Sequence, residues 1–243
     1  ERKIMTKKKL MKTAMSAGLV AVIGVGGTLA YLSAQSETVN NTFTVGTGYI
    51  PDEGGHVGIV LDEAKVNTDG TVDINTRVDG PQTYPELMPG DSKLKDPTVR
   101  FVAGSVKSYV FAQVTGVEDA AENYLTIDGW NTQSWMKVED QDGELTLTDN
   151  TGDGIYLYVG NYADENYVVD FDDEVENEEY AEGEDVSLGY IFSNVSFNNV
   201  SNDEFESVSP NFNNAAIKVA ACAVQAANDG STWEDAYGAA TFK

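Results

Sequence analysis

Short runs of β-branched, aromatic and aliphatic residues, cut every few positions by Gly, Asn and Asp, restrict this chain to an antiparallel all-β architecture, either sandwich or barrel. The spacing predicts strands at 42–45, 58–61, 71–75, 98–102, 108–114, 134–138, 144–148, 155–159, 186–192 and 216–225. Along 155–159 the side chains alternate by type. Ile155, Leu157 and Val159 face one way, towards an apolar core, and Tyr156 and Tyr158 form an aromatic girdle on the other. Asp142-Gly143 and the run 151–154 supply hairpin turns between successive strands. Helical pattern is confined to 118–125 and 233–240, the second capped by Ser231 or Thr232 with Glu234 and Asp235 in its first turn. Between 164 and 185 there are twelve acidic residues and no basic one, which reads as a protruding, solvated loop.

The N-terminal segment has a different character. Lys7, Lys8, Lys9 and Lys12 precede 24 uncharged residues, 13–36, rich in Ala, Val, Leu, Ile and Gly. That is the layout of a secretory signal peptide, with Met5 as the expected start of translation. Thr28 and Ala30 suit the two narrow subsites of a signal peptidase, whereas a cut after Ala34 would place bulky Leu32 in one of them. The expected cleavage bond therefore joins Ala30 to Tyr31. The competing reading is a retained span, since a membrane helix needs roughly 20 apolar residues; Gly24, Gly26, Gly27, Thr28 and the polar 33–36 weaken it. The domain plan is thus a signal peptide at 1–30, an arm at 31–45 and a β domain at 46–243 that carries the acidic loop 164–185.

Charge narrows the partners. Removing residues 1–30 takes away six basic residues and one acidic one, leaving nine against 39 and a formal net charge of −30. Such a field repels nucleic acid and attracts divalent cations. The lone cysteine, Cys222, lies in an apolar run and excludes an internal disulfide, so its expected role is that of a small buried hydrophobe.

Catalytic patterns are missing. The single histidine, His56, lies in a Gly-rich loop; there is no HExxH, no phosphate-binding Gly loop and no set of nitrogen and sulfur ligands for zinc, so an enzyme is not expected. Abundant carboxylates make any one glycosidase-like pair uninformative, and Trp130, Trp135 and Trp233 are a sugar platform or packing residues. Ca²⁺ is the one candidate ligand, with no other cofactor expected. Asn67, Asp69 and Asp73, and Asp149 with Asp153, place oxygen ligands at alternate positions around glycine turns. The same residues also suit an Asx-rich turn without a metal.

Three segments carry a family resemblance: the junction GGTLAYLSAQSETVNNTFTVG at 26–46, Leu87-Met88-Pro89-Gly90-Asp91 ahead of the strand at 98–102, and the final strand pattern at 216–225. They resemble the TasA/camelysin family of biofilm matrix proteins, exported by Gram-positive bacteria through a SipW-type signal peptidase. The likeness covers about a third of the chain, and Ala and Cys replace the aromatic residues of the family's final strand. It implies a jelly-roll-like sandwich, secretion to the matrix or cell surface, and fibres made by donating the freed arm to a neighbouring subunit, with or without an accessory subunit. Tyr31, Val39, Phe43 and Val45 would then fill the acceptor groove. The metalloprotease-like activity ascribed to camelysin is not expected without zinc ligands. A monomeric surface module that binds protein, glycan or Ca²⁺ is the alternative function.

Overall fold

The computed structural model describes residues 33–35, 58–79, 82, 84, 90–122, 124–170, 185–199, 217–226 and 231–242. The chain divides between Ala30 and Tyr31 into two units, and everything described belongs to the second. The Ala30–Tyr31 bond, the predicted strand at 42–45, the arm positions Tyr31, Val39, Phe43 and Val45, and His56 lie outside the described residues.

Thirteen strands and two short helices are described, and every strand pairing is antiparallel. A six-stranded sheet contains β1 (Ser33–Gln35), β13 (Lys218–Gln225), β6 (Ser108–Thr115), β10 (Gly154–Tyr158), β8 (Trp135–Gln141) and β9 (Glu144–Thr148), in that spatial order. A four-stranded sheet runs β11 (Val186–Tyr190), β5 (Thr98–Phe101), β2 (Ile59–Val66) and β3 (Val72–Val78). The third sheet is β4 (Ser92–Leu94), β12 (Asn194–Phe197) and β7 (Leu125–Asp128). The helices are α1 (Val117–Glu122) and α2 (Trp233–Ala239).

The six-stranded sheet is buried on both faces, which explains why its central strands read as near-continuous apolar runs. On one face Val110, Ala112 and Val114 of β6, Tyr156 and Tyr158 of β10, and Val219, Ala221 and Ala223 of β13 share a core with Ile59, Leu61, Val99, Phe101, Val186 and Leu188 of the four-stranded sheet. On the other, Tyr109, Phe111, Leu157, Cys222 and Val224 pack beneath α2 and the segment that ends at Phe242. Each fully buried large side chain here contributes about 1.5–3 kcal/mol. The tyrosines of β10 therefore face the shared core, and the aliphatic residues face the outer layer. This corrects the expected girdle: Trp130 stacks on Tyr156 at 5.5 Å and Trp135 meets Tyr158 edge-on at 5.2 Å, so the rings are internal packing.

Cross-strand neighbours explain the small residues of the final strand. Ala112 faces Ala221 on one side and Tyr156 on the other, so a large ring next to two methyl groups fills the layer at normal density. Helix α2 closes the opposite face. Thr232 is its N-cap, Asp235 returns a bond to the Thr232 N–H, and Tyr237 meets Phe111 at 6.2 Å between ring centres. The hairpin β8–β9 turns through Asp142 and Gly143 with φ of 59° and 96°, the two left-handed residues that its two-residue loop requires.

Several boundaries differ from the periodicity. Strand β2 runs on to Val66 because its charged residues find partners. The predicted helix at 118–125 stops at Glu122, since Leu125 is recruited to β7 and buried. Gly90 leads into β4 instead of opening β5: its N–H donates to the Phe197 carbonyl at 2.7 Å, and Asp91 accepts from the Phe197 N–H at 2.8 Å. The start of the acidic segment is anchored, not solvated. Val169 is fully buried and exchanges backbone hydrogen bonds with Ser108, and Asp170 pairs with Lys107.

Candidate functional site

The arm expected to carry function meets the described structure at one place, the outer edge of β13. Ser33 lies opposite Val224, Ala34 opposite Ala223 and Gln35 opposite Cys222. The inner edge of β13 is fully engaged, paired with β6 at every position from Lys218–Thr115 to Gln225–Ser108. Among the described residues, β1 is the strand that pairs with the outer edge. An edge of this kind offers a row of backbone donors and acceptors to whichever strand reaches it.

The side chains of β13 make that edge chemically plain. From Val219 to Val224 every residue is buried and uncharged, and four of the six are Ala or Cys. Burial pushes the Cys222 thiol up to about 11, which leaves it protonated and unreactive at neutral pH. The six apolar residues hold the strand between two packed layers.

The calcium candidates build turns. Asp69 accepts from both the N–H and the hydroxyl of Thr71, at 3.0 and 2.6 Å, and Asn67 donates to Thr71 Oγ1. Asp73 accepts from the Asn75 N–H and the Thr76 hydroxyl. Hydrogen bonds from Thr71 hold the Asp69 carboxyl below its ordinary value, and the Thr76 hydroxyl does the same for Asp73. In the second group Asp153 accepts from the Val117 N–H at 2.7 Å at the start of α1, and Asp149 is exposed beyond β9. Among the described residues no group of three or more His, Cys, Asp or Glu side chains converges as a metal site.

Two clusters escape the sequence patterns. On the outward face of the four-stranded sheet, buried Asp62 receives Arg77 Nε at 2.9 Å and Arg100 Nη2 at 2.6 Å, and Arg77 also reaches Asp96 at 2.5 Å. Beside them Ser187, Gly189 and Tyr190 complete a shallow hollow of about 360 Å³. On the inward face of β2, Glu63 pairs with Lys95, both buried. The doublet Asp62-Glu63 inside an apolar strand is the one signal that could have revealed them, because alternation sends its members to opposite faces, each needing its own cation. A second hollow, of about 560 Å³, lies between Tyr109, 164–168 and 231–234, lined by the Tyr167 and Trp233 rings and by Asp164, Glu165 and Glu234.

Among the described residues no helix is long and apolar enough to cross a membrane. No protein-family model matches the chain, and no curated protein or solved structure matches it either.

Proposed function

We propose that this chain is an exported structural subunit of an extracellular matrix, with a jelly-roll-like sandwich domain and an arm, residues 31–45, that adds a strand to a neighbouring subunit. The observation that supports this most directly is the pairing of β1 with the outer edge of β13. A short N-terminal strand on a sheet edge makes the same backbone bonds whether it comes from its own chain or from the next one. Exchange then replaces like with like, and concentration drives it; because the contact is head-to-tail, it propagates as a filament. A formal charge of −30 on the processed subunit opposes assembly at low salt. Salt or millimolar Ca²⁺ relieves that repulsion by screening, without a built metal site. Processing falls to a SipW-type peptidase, and the partner is a second copy.

The opposed pair Ala34–Ala223 provides the test. In a Cys222→Ala background starting at Tyr31, both alanines are replaced by cysteine, and the protein is oxidised under assembly conditions, with and without Ca²⁺. A ladder of covalent oligomers on a non-reducing gel, with fibres by negative-stain microscopy that vanish when 31–45 is deleted, is expected. A single internally linked monomer would leave the arm a strand of its own sheet and sink the polymer reading. In that case the hollow between Tyr109, Tyr167 and Trp233, rich in rings and carboxylates, favours a monomeric surface-binding module.

A further inference from the structure

Strand β9 is the far margin of the six-stranded sheet: among the described residues it pairs with β8, and no strand pairs with its outer side. The hairpin that makes β9 decides which backbone groups face outward. Its two-residue loop, Asp142 and Gly143, requires Gln141 and Glu144 to exchange the first hydrogen bonds, after which bonded and non-bonded pairs alternate. Glu144, Thr146 and Thr148 therefore bond inward to β8, and Leu145 and Leu147 turn their N–H and C=O groups to the outer side. Such a margin is normally blunted by lysine, proline or a bulge. β9 has none of these: Leu145 to Thr148 are uncharged and half-buried, and the register with β8 is unbroken. The Leu145 and Leu147 side chains join the outer apolar layer beside Val138, with Thr146 and Thr148 on the opposite face.

The order Leu-Thr-Leu reads the same in both directions, so an antiparallel strand that matches it is β9 itself. Turned about a two-fold axis at Thr146, a second copy sets Thr146 against Thr146, Leu145 against Leu147 and Glu144 against Thr148. Each outward leucine then meets an outward leucine, which closes four backbone hydrogen bonds, and the leucine side chains cover one another in a continuous layer. A slip of two residues in either direction spoils this match, since one leucine then meets Gly143 or Asp149 of the second copy. Charge agrees with the same register. Beyond Thr148 in the Glu144 row stands the second copy's Lys137, two strand spacings or about 10 Å away between Cα atoms. Among the described residues neither Glu144 nor Lys137, whose stem lies beside Gly154, belongs to an ion pair. The two Glu139 residues stand three spacings apart, about 14 Å, beyond the screening length of about 8 Å at physiological salt.

We propose that two copies of this chain join through β9, antiparallel about Thr146, so that two six-stranded sheets become one. The contact is isologous and closes at two copies. It uses the margin opposite to β1 and β13 and does not depend on the arm. Where the arm builds a filament, β9 ties one filament to another.

Disulfide trapping in a Cys222→Ala chain starting at Tyr31 tests the register. Thr146→Cys stands on the axis, where non-bonded antiparallel neighbours are about 4.5 Å apart between Cα atoms, within the span of a disulfide. Glu144→Cys is the control, at a more exposed position but about 13 Å along the strand from its counterpart in the second copy. In a glutathione buffer at about 0.15 M salt, Thr146→Cys should give roughly tenfold more covalent dimer than Glu144→Cys. Nothing larger than a covalent dimer should form, since each chain holds one thiol. Adding Leu147→Pro, which removes an outward N–H and leaves the bonds to β8 in place, should lower the yield to that of the control. Equal yields from the two thiols, or more from the exposed one, overturn the proposal, as does a yield that Leu147→Pro leaves unchanged. Arm donation is read at Ala34 and Ala223 on the other margin, so failure of either reading is distinguishable from failure of the other.

Discussion

Strand β13, covered at its outer edge among the described residues only by the three-residue β1, and strand β3, the last of its sheet, are finished in opposite ways. β13 carries six successive buried, uncharged residues, and its outer edge pairs with β1. β3 carries Asp73, Asn75 and Arg77; Ile74 is 67% exposed, and the Asp73 carboxylate already accepts from the Asn75 N–H. An edge whose donor is spent on a nearby side chain and flanked by charge resists a further strand, while an apolar, charge-free edge accepts one. The difference teaches that strand addition in this molecule is directed by what the side chains withhold at one margin as much as by what they offer at the other.

Adding the same charge to both strands tests this most severely. Ala223→Asp forces a carboxylate into the shared apolar core and should cost about 3–5 kcal/mol. Asn75→Asp on exposed β3 should stay within about 0.5 kcal/mol. Paired chemical-denaturation curves compare them, and equal losses would show that the two margins are not different in kind.

Next in size is Arg77→Leu. Asp62 would keep Arg100 but lose the Nε contact, and Asp96 would lose its guanidinium. With Arg77 partly solvated, about 2 kcal/mol is expected, less than for a sealed pair. The same curves check it; a loss below about 0.5 kcal/mol would reduce the network to surface decoration.

A smaller effect should follow from Thr232→Ala, which removes the cap of α2 and costs about 1 kcal/mol. Because α2 covers Cys222, local fraying of that order should raise thiol labelling at pH 8 by roughly fivefold without moving the global midpoint by more than a few degrees. Unchanged labelling would mean that another part of the outer layer protects the sulfur.

Much of the sheet content was legible in sequence, and the failures have physical causes. Strands at 108–114, 144–148 and 216–225 are long or sharply punctuated, and the structure keeps them almost unchanged. β4, β7 and β12 have three or four residues each, too few to display a period, and they form because their neighbours bury Leu125, Ile127, Val195 and Phe197. The two faces of β10 were read in the wrong sense because alternation separates tyrosine from leucine without saying which layer is thicker. The ion clusters were missed because Asp62, Glu63, Arg77, Lys95, Asp96 and Arg100 meet only after three strands pair. The calcium pattern carries two readings, because the oxygens that suit a cation also suit a neighbouring N–H.

The smallest effect separates the margins by pH. Thr76 and the Asn75 N–H hold the Asp73 carboxyl below the ordinary 3.8 of an aspartate. A depressed acid of this kind contributes stability that is fully present above its unfolded value and is lost as pH falls through the folded one. The β3 edge should therefore stay closed at pH 5 and loosen only below 3.8. In an amide-resolved titration Asn75 should shift with a midpoint under 3.8, as should Thr71, whose N–H is held by Asp69. Amides from Val219 to Val224, with no carboxylate on their own strand, should not titrate in that window. An Asn75 midpoint at or above 3.8 would show that Asp73 does not engage the edge, and closure of β3 would then rest on Arg77 and the exposed polar residues alone.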